Sequence, residues 1–184
     1  MDITTTTETK EQGLAPEESR VHLQSALKEF ATMMVATYDK KGKHPRLHAR
    51  PMMVAKVEDD CSLVFVTRAS DDKVGSADGH AEDGTVIAQS LTRQVSMLGT
   101  IEYSFDRRQL SDVWKIPFNI WFLGGRTDPH VCLMIFRPRD AELWDLSGKK
   151  GLKFLFDAAK AMIIQRKTPD FSPDQHEKLK LHRA

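Results

Sequence analysis

Six short β-rich runs joined by brief polar connections restrict the fold of this chain more than any other feature. Connections such as Lys40-Lys41-Gly42-Lys43 and Leu91-Thr92-Arg93 have the length of antiparallel hairpin loops. With few helices between the runs, the pattern favours a closed or nearly closed barrel over a doubly wound sheet. The sequence therefore predicts a mainly β fold, a six-stranded antiparallel barrel with peripheral helices. The six runs are residues 33–39, 46–58, 61–67, 85–91, 94–105 and 131–146.

Helices are expected before, between and after these strands. The first begins at Pro16-Glu17-Glu18 and carries one apolar face, since Leu23, Ala26, Leu27 and Phe30 are spaced at i, i+3, i+4 and i+7. A second helix begins at Ser70 and ends near Gly79. Asp106 caps a third, which carries Leu110, Val113 and Trp114 and is followed by a helical turn with Phe118, Trp121 and Phe122. A C-terminal amphipathic helix is predicted over residues 152–163.

The length of 184 residues fits one domain with flanking segments. Residues 1–15 are rich in Thr, Glu and Lys without periodicity, which predicts a mobile tail. Residues 16–148 form the barrel domain in this division. Residues 149–184 are expected to add the amphipathic helix and then a charged, peripheral tail.

Charge and composition point to a cytoplasmic domain. Lys and Arg number 27 against 26 Asp and Glu, a formal charge of +1 that argues against nucleic-acid or membrane partners. No apolar run approaches the roughly 18 residues of a spanning helix, and the first residues lack the basic and apolar regions of a secretory signal. Cys61 and Cys132 form no paired framework, which favours a reducing compartment.

Most catalytic and metal-binding motifs are absent from the sequence. It contains no HExxH, zinc-spaced Cys/His cluster, GxGxxG, Walker loop or GxSxG. SxxK occurs at Ser70–Lys73 and again at Ser147–Lys150, without the SDN or KTG elements of a penicillin-type acylation site. The seven histidines are scattered, so no metal site is predicted.

One constellation points to anion binding. The strand ending at Thr67 is followed by a predicted helix start at Ser70, a junction that offers free backbone N–H groups to a phosphate. Lys73 and Arg50 would add positive charge. Pro51 cannot donate to a sheet ladder, so its strand belongs at an edge or opening. The alternative interpretation is that Arg50 faces solvent, that Ser70 only caps the helix and that Lys73 is a surface residue.

At these residues the chain resembles the FMN-binding split-barrel superfamily of pyridoxamine 5′-phosphate oxidase, and within it the general stress protein branch. The matching pieces run in family order from about residue 20 to residue 146, so the resemblance covers most of the chain. They are Arg50-Pro51-Met52, Phe65-Val66-Thr67, Lys73, Arg93-Gln94-Val95, Gly99, Asp106, Trp114, Trp121-Phe122, Gly124, Asp128-Pro129 and Trp144.

The resemblance implies a six-stranded antiparallel split barrel and a homodimer with FMN, or alternatively FAD, at the subunit interface. The residues it implies around the flavin fall into three groups. Near the phosphate and ribityl chain would lie Arg50, Val66, Thr67, Ser70 and Lys73. At the ring edge would lie Pro51, Met52 and Gln94, and over the ring Trp114 and Trp121 from the partner subunit. Without the resemblance, helix-to-barrel packing is the expected role of Trp114, Trp121 and Phe122.

Two departures from the oxidases bear on activity. The oxidases carry Arg-Lys where this chain has Asp72-Lys73, and they end in an Arg- and Pro-containing segment that is absent here. Vitamin B6 oxidation is therefore not expected. The resemblance implies an FMN-dependent oxidoreductase acting on an unidentified small molecule, with catalytic residues not assigned.

Two alternatives to this function stay open. One is a flavin-binding protein for storage or sensing, without turnover. The other is haem or a deazaflavin in the same barrel. Haem would require an axial ligand such as His48 or His130. The alternative interpretation of both histidines is a structural or exposed position. His48 shares a strand face with Arg50, so it could lie near the flavin and transfer a proton.

Overall fold

The computed structural model of the chain describes residues 17–39, 46–69, 81–147 and 176–181. Its helices are α1 (Glu17–Leu27), α2 (Arg107–Val113) and α3 (Phe118–Trp121), with a 3₁₀ turn at Gly125–Thr127. None of the described helices has the length and apolar character needed to span a membrane. Its strands are β1 (Thr32–Asp39), β2 (Arg46–Val57), β3 (Leu63–Arg68), β4 (Glu82–Gln89), β5 (Arg93–Ser104), β6 (Val131–Asp145) and β7 (His176–Lys180).

The strands form one antiparallel sheet in the order β3-β2-β1-β4-β5-β6-β7, and pairing of β3 with β6 closes it. The strand β6 pairs with three strands. On one side it pairs with β5, and on the other Val131–Phe136 pairs with β3 whereas Asp140–Trp144 pairs with β7. The predicted six-stranded antiparallel barrel is confirmed.

The strand β7 corrects one expectation about the C-terminal region. Residues 149–184 were expected to end in a peripheral charged tail, but His176–Lys180 pairs with β6. Leu179 is only 4% exposed and belongs to the barrel core. A single buried leucine among charged residues is too weak a periodic signal to predict a strand, and the pairing depends on a partner about 40 residues away in sequence.

Two apolar clusters lie on opposite sides of the sheet. The barrel interior contains the larger cluster, which includes Leu63 and Phe65 of β3 and the predicted α1 face of Leu23, Ala26 and Leu27. The smaller cluster lies outside the barrel, where α2 and α3 cover the outer face of β2, β3 and β6. Its buried members are Ala55, Val64, Val66, Leu110, Phe118, Val131 and Leu133. Because successive strand residues point to opposite faces, β3 contributes to both clusters and is buried along most of its length.

Local geometry confirms one prediction, the Asp106 cap, and explains the glycine at position 99. Asp106 caps α2, since its carboxylate Oδ1 accepts hydrogen bonds from the backbone N–H groups of Arg108 at 2.8 Å and Gln109 at 3.2 Å. Gly99 lies where the β5–β6 register shifts, and a Cβ at this position would come within 2.1 Å of the Arg137 carbonyl oxygen. Only glycine fits such a close approach of two backbones.

Three predicted segments lie outside the described residues: the mobile tail at 1–15, the helix from Ser70 to Gly79 and the helix over 152–163.

Candidate functional site

The strands β2 and β3 separate partway along their hairpin. Their pairing runs from Val57 opposite Leu63 to Val54 opposite Phe65. Beyond that point, among the described residues, β2 continues paired only with β1 and β3 continues paired only with β6. The separation leaves an opening flanked by residues 46–53 of β2 and residues 66–68 of β3, which we call the split.

Pro51 lies on the flank of the split. It is opposite Met34 of β1, and in the described part of the chain no strand pairs with it on the other side. The missing N–H of proline therefore costs no ladder hydrogen bond at this position. This agrees with the prediction that the Arg50-Pro51-Met52 strand borders an edge or opening.

Three of the predicted cofactor residues share the inner face of the sheet beside the split. Met52 packs against the barrel core, and Arg50 lies opposite Val35, a member of that core. Thr67 is two residues from the buried Phe65 and has the same orientation by strand alternation. The fold thus brings Arg50, Met52 and Thr67 together although up to 17 positions separate them in sequence.

Arg50 is an exposed cation beside the split. Within the described ranges its guanidinium has no hydrogen bond or ion pair, so its charge is available to an anion. Lys115, which the sequence analysis did not single out, donates from Nζ to the Val54 carbonyl oxygen at 3.3 Å, where the strands begin to separate. No sequence motif identifies Lys115, because its position depends on how the α2–α3 connection packs on the barrel.

Arg68 is the second cation that sequence reasoning missed. It ends β3, and its guanidinium donates to Asp128 Oδ2 at 2.6 Å. The backbone N–H of His130 donates to Asp128 Oδ1 at 2.9 Å and, with Arg68, lowers the pKa of that carboxyl. Arg107 donates to the carbonyl oxygens of Asp128, Pro129 and Val131. The Asp128-Pro129 piece of the resemblance therefore anchors the loop beside the end of β3.

Val66 and Gln94 lie away from the inner face of the split. The Val66 side chain is buried in the outer cluster under α2 and α3, so its backbone is the part that can meet a ligand. Gln94 precedes the core residue Val95 and is exposed on the outer face of β5, opposite Gln89 and Trp144. Within one chain, Gln94 is separated from β2 by β4 and β1.

The two predicted tryptophans differ in environment. Trp114 packs in the outer cluster, with its ring centroid 5.7 Å from that of Phe118 and 6.0 Å from that of Phe122, and its Nε1–H donates to Asn119 Oδ1. Trp121 is 71% exposed. Trp114 and Phe122 thus have the packing role expected without the resemblance, whereas Trp121 is free to contact another molecule.

Of the remaining predicted residues, Ser70 and Lys73 lie outside the described part of the chain. His48 is exposed on β2, two residues from Arg50, and His130 lies in the loop that Asp128 organises. Burial raises the pKa of the Cys61 thiol to about 11, so this cysteine is protonated at neutral pH. No group of three or more His, Cys, Asp or Glu residues suited to a metal ion occurs in the described ranges.

Comparison with known proteins agrees with this architecture. The family described as pyridoxamine 5′-phosphate oxidase like matches residues 18–170. No curated protein matches the chain. Among solved structures, a candidate general stress protein 26 from Jannaschia sp. CCS1 is 25% identical, with a TM-score of 0.64 over 89% of this chain and 99% of that one.

Two more distant structures share the fold. The general stress FMN/FAD binding protein from Xanthomonas citri is 23% identical, with a TM-score of 0.55 over 71% of this chain and 90% of that one. A protein related to general stress protein 26 from Clostridium acetobutylicum is 19% identical, with a TM-score of 0.55 over 71% of this chain and 91% of that one.

Proposed function

The chain belongs to the pyridoxamine 5′-phosphate oxidase-like family, and from this premise we propose that it is an FMN-binding oxidoreductase acting on a small molecule. The observation that carries the proposal is the split, where an exposed, unpaired Arg50 shares one face with Met52 and Thr67. FAD is the alternative flavin. A relative of the same fold is described as an FMN/FAD binding protein.

The residues beside the split fit the chemistry of a flavin phosphate. Arg50 offers a charge-assisted hydrogen bond without first breaking an ion pair, and the Thr67 hydroxyl can donate a neutral one. Ser70 and Lys73 follow directly in sequence and would add a hydroxyl and a second charge. Lys115 would raise the local positive potential, which would favour an anionic ligand and partly offset the Asp at position 72, whereas the charge of Arg68 is balanced by Asp128.

The flavin supplies hydride or single-electron transfer when bound, and the protein supplies position and environment. In this proposal Arg50 and Lys73 bind the phosphate, while the β2 backbone at Pro51 and Met52 orients the ring edge. Trp121, the exposed indole, covers the ring side from a second subunit and excludes water there. In this proposal Gln94 likewise meets the ring edge only across a subunit interface. Within one chain, β1 and β4 lie between β2 and the strand that carries Gln94.

A second copy of the chain is the proposed occupant of an apolar outer face of the barrel. Met34 lies opposite Ile87, Tyr38 lies opposite Leu47, and Leu98 lies on the next strand. All five side chains are more than a third exposed. A contiguous exposed apolar surface across four strands is typical of a protein interface. We therefore expect a homodimer that uses the outer face of β1, β2, β4 and β5.

The first experiment is a visible absorption spectrum of the purified protein, followed by titration with FMN. A flavin spectrum or saturable FMN uptake supports the proposal, and reduction by NADH or NADPH with turnover of a small acceptor supports the oxidoreductase part. Flavin that binds but exchanges no electrons would support storage or sensing instead. Absence of any flavin uptake contradicts the proposal, and a Soret-type band would favour haem.

Arg50→Ala is expected to weaken FMN binding by about 10- to 100-fold, because it removes a charge-assisted contact worth roughly 1.5–3 kcal/mol. Riboflavin, which lacks the phosphate, should bind both proteins equally. Fluorescence-quenching titrations measure both affinities. Arg108→Ala, which removes an exposed arginine of α2, is the matched control and should change neither. Equal weakening of FMN and riboflavin would mean that Arg50 does not contact the phosphate.

Ile87→Glu is expected to convert the dimer to a monomer, since it introduces a charge at the centre of the apolar face. Sedimentation equilibrium measures the change, and Val21→Glu on the exposed side of α1 is the control. FMN affinity should fall together with dimerisation. A variant that remains dimeric would show that the chain associates through another surface.

A further inference from the structure

A cavity lies at the closed end of the β2–β3 hairpin, away from the split. It has a volume of about 570 Å³ and lies between α2 and the outer face of β2, β3 and β6. This volume is within the range of small-molecule sites. We call it the α2 cleft. Its lining residues come from the hairpin turn, from Val64 and the outward positions of β6, and from Gln109, Asp112 and Val113 of α2.

The floor of the α2 cleft is apolar. Val64 and Leu133 are almost fully buried, and Ile135 and Val113 pack beside them in the outer cluster. A ligand that covers this floor would therefore need an apolar body. Its affinity would come partly from removing the remaining exposed apolar surface from water.

The walls of the α2 cleft carry an excess of negative charge. Glu58, Asp59, Asp60 and Asp112 face two cations, Lys56 and Arg137. Both cations are already paired with carboxylates. Lys56 Nζ lies 2.7 Å from Glu58 Oε2, and Arg137 Nε lies 3.2 Å from Glu102 Oε2, a residue outside the lining.

Lys56 also interacts electrostatically with Asp59 and Asp112, so three carboxylates of the lining share this one cation. Asp59 accepts a hydrogen bond from the Gln24 side-chain amide, and Asp60 accepts one from the Ser62 backbone N–H. Asp112 has neither a hydrogen bond nor an ion pair to any described residue. Its electrostatic partner is Lys56, which is already paired with Glu58, so the Asp112 charge is only partly balanced.

Ser62 supplies an independent sign of a missing ligand. It lines the α2 cleft, yet it is only 2% exposed, and its Oγ has no hydrogen-bond partner among the described residues. A buried hydroxyl without a partner is uncommon, because leaving its hydrogen bond unmade is unfavourable. Ser62 is the one described residue with such an orphan side-chain atom, and it lies in this cavity.

We propose that the α2 cleft binds a small organic cation, an amine or amidine on an apolar body, with Asp112 as counter-ion and Ser62 Oγ as a hydrogen-bond partner. A metal ion is the alternative occupant of an acidic site. The described carboxylates do not form a group of three placed to hold one, and the apolar floor offers no metal ligands. An organic cation would pair with the Asp112 carboxylate, form a hydrogen bond with Ser62 Oγ and cover the apolar floor.

The α2 cleft is separate from the split. Lys56 and Arg50 are six residues apart on one strand, which at the usual rise corresponds to about 20 Å. The two places also lie on opposite faces of β2, since the cleft uses the outer face whereas Arg50 lies on the inner one. The proposed cation site therefore does not depend on flavin binding.

The test is a titration of the purified full-length protein, with any flavin it carries, using benzylamine as the probe and amide chemical shifts as the readout. Benzyl alcohol, the uncharged isostere, and benzoate, the anion, are the chemical controls. We expect benzylamine to shift the amides of Ser62, Val64 and Ile135. Benzyl alcohol should bind about tenfold more weakly, the loss expected for one charge-assisted hydrogen bond. Benzoate should not bind.

Asp112→Asn should reduce benzylamine affinity about tenfold for the same reason. Asp112 is exposed on α2, so this variant should fold normally. Asp140→Asn, an exposed aspartate on the other half of β6, is the matched control and should leave the affinity unchanged. Equal affinity of benzylamine for the wild type and Asp112→Asn would overturn the proposal, as would an absence of shifts in the cleft.

Ser62→Ala distinguishes a ligand contact from a structural role. Removing an orphan buried hydroxyl should leave the melting temperature of the free protein unchanged or higher, while benzylamine affinity falls several-fold. A lower melting temperature with unchanged affinity would assign the hydroxyl to the fold and overturn its role in binding. Displacement of benzylamine by millimolar Mg²⁺ or Ca²⁺ at constant ionic strength would identify a metal site and also overturn the proposal.

Discussion

The two ends of the β2–β3 hairpin differ in both strand pairing and charge. At the turn, the strands are paired and their outer face forms the floor of the acidic α2 cleft. At the other end they have separated, and Arg50 is the exposed, unpaired charge. A single hairpin thus carries the proposed anion site at one end and the proposed cation site at the other. The contrast shows that strand separation, rather than sequence motif alone, creates the surface available to a ligand.

The loss of the hairpin core should have the largest effect, because both ends depend on it. Phe65 is fully buried and lies opposite Val54, the last pair before the strands separate. We expect Phe65→Ala to lower the free energy of unfolding by about 3–5 kcal/mol. Urea unfolding measures the change, and Val21→Ala on the exposed side of α1 should stay within about 0.5 kcal/mol. A loss of FMN affinity with unchanged benzylamine affinity would show that the two ends are energetically independent.

The pH dependence of stability tests a third region, the network around Asp145, which belongs to neither end of the hairpin. Asp145 receives hydrogen bonds from Ser147, and its Oδ2 lies 2.9 Å from Arg93 Nε and 3.0 Å from His22 Nε2. Arg93 is also paired with Glu29. Burial alone would raise the pKa of Asp145, but the contacts with Ser147, His22 and Arg93 outweigh it and lower the pKa to about 2.

Because the folded pKa of Asp145 lies below the usual 3.8, its carboxylate stabilises the folded state fully above pH 3.8. This contribution is lost as the pH falls toward about 2. Asp145→Asn should lower the free energy of unfolding by about 1–2 kcal/mol at pH 7, and the difference from the wild type should shrink below pH 4. Urea unfolding between pH 7 and pH 3 measures it. FMN and benzylamine affinities at pH 7 should not change, and a loss of either would couple this network to the hairpin.

The smallest effect on stability is expected at Trp121, the exposed aromatic that we propose covers the partner's flavin. Trp121→Ala should change the free energy of unfolding by less than about 0.5 kcal/mol. Trp114→Ala, in the packed outer cluster, should cost roughly 2–4 kcal/mol. Thermal unfolding compares the two, and FMN fluorescence reports the accessibility of the ring. Equal losses of stability would assign both residues to packing and remove Trp121 from the proposed site.

Local features of the fold followed directly from residue patterns. The apolar spacing of Leu23, Ala26 and Leu27 predicted the buried face of α1, and Asp106 is the helix cap that its side chain predicted. Pro51 predicted that one side of its strand is unpaired. Proline has no backbone N–H to donate to a neighbouring strand, and this effect depends on that one residue alone. The six runs of alternating and apolar residues predicted all six barrel strands.

The candidate site was only partly predictable. The sequence identified Arg50, Met52 and Thr67, which the structure brings to one face. It did not identify Lys115 or Arg68 beside them, or the separate orientation of Gln94. These positions depend on contacts between residues distant in sequence, such as Lys115 with the Val54 carbonyl oxygen. The sequence around a single lysine does not indicate which backbone carbonyl its ammonium group will contact.

The sequence by itself determined the strands, the first helix and the residues suited to a phosphate, because helix and strand periodicity, capping and proline chemistry act over a few residues. Only the tertiary structure decided that β2 and β3 separate, that β7 joins β6, and that Trp114 is packed while Trp121 is exposed. It also decided that Ser62 is buried in an acidic cleft. Each of these depends on which distant segments meet, and that choice is made by closing the barrel and burying one apolar surface against another.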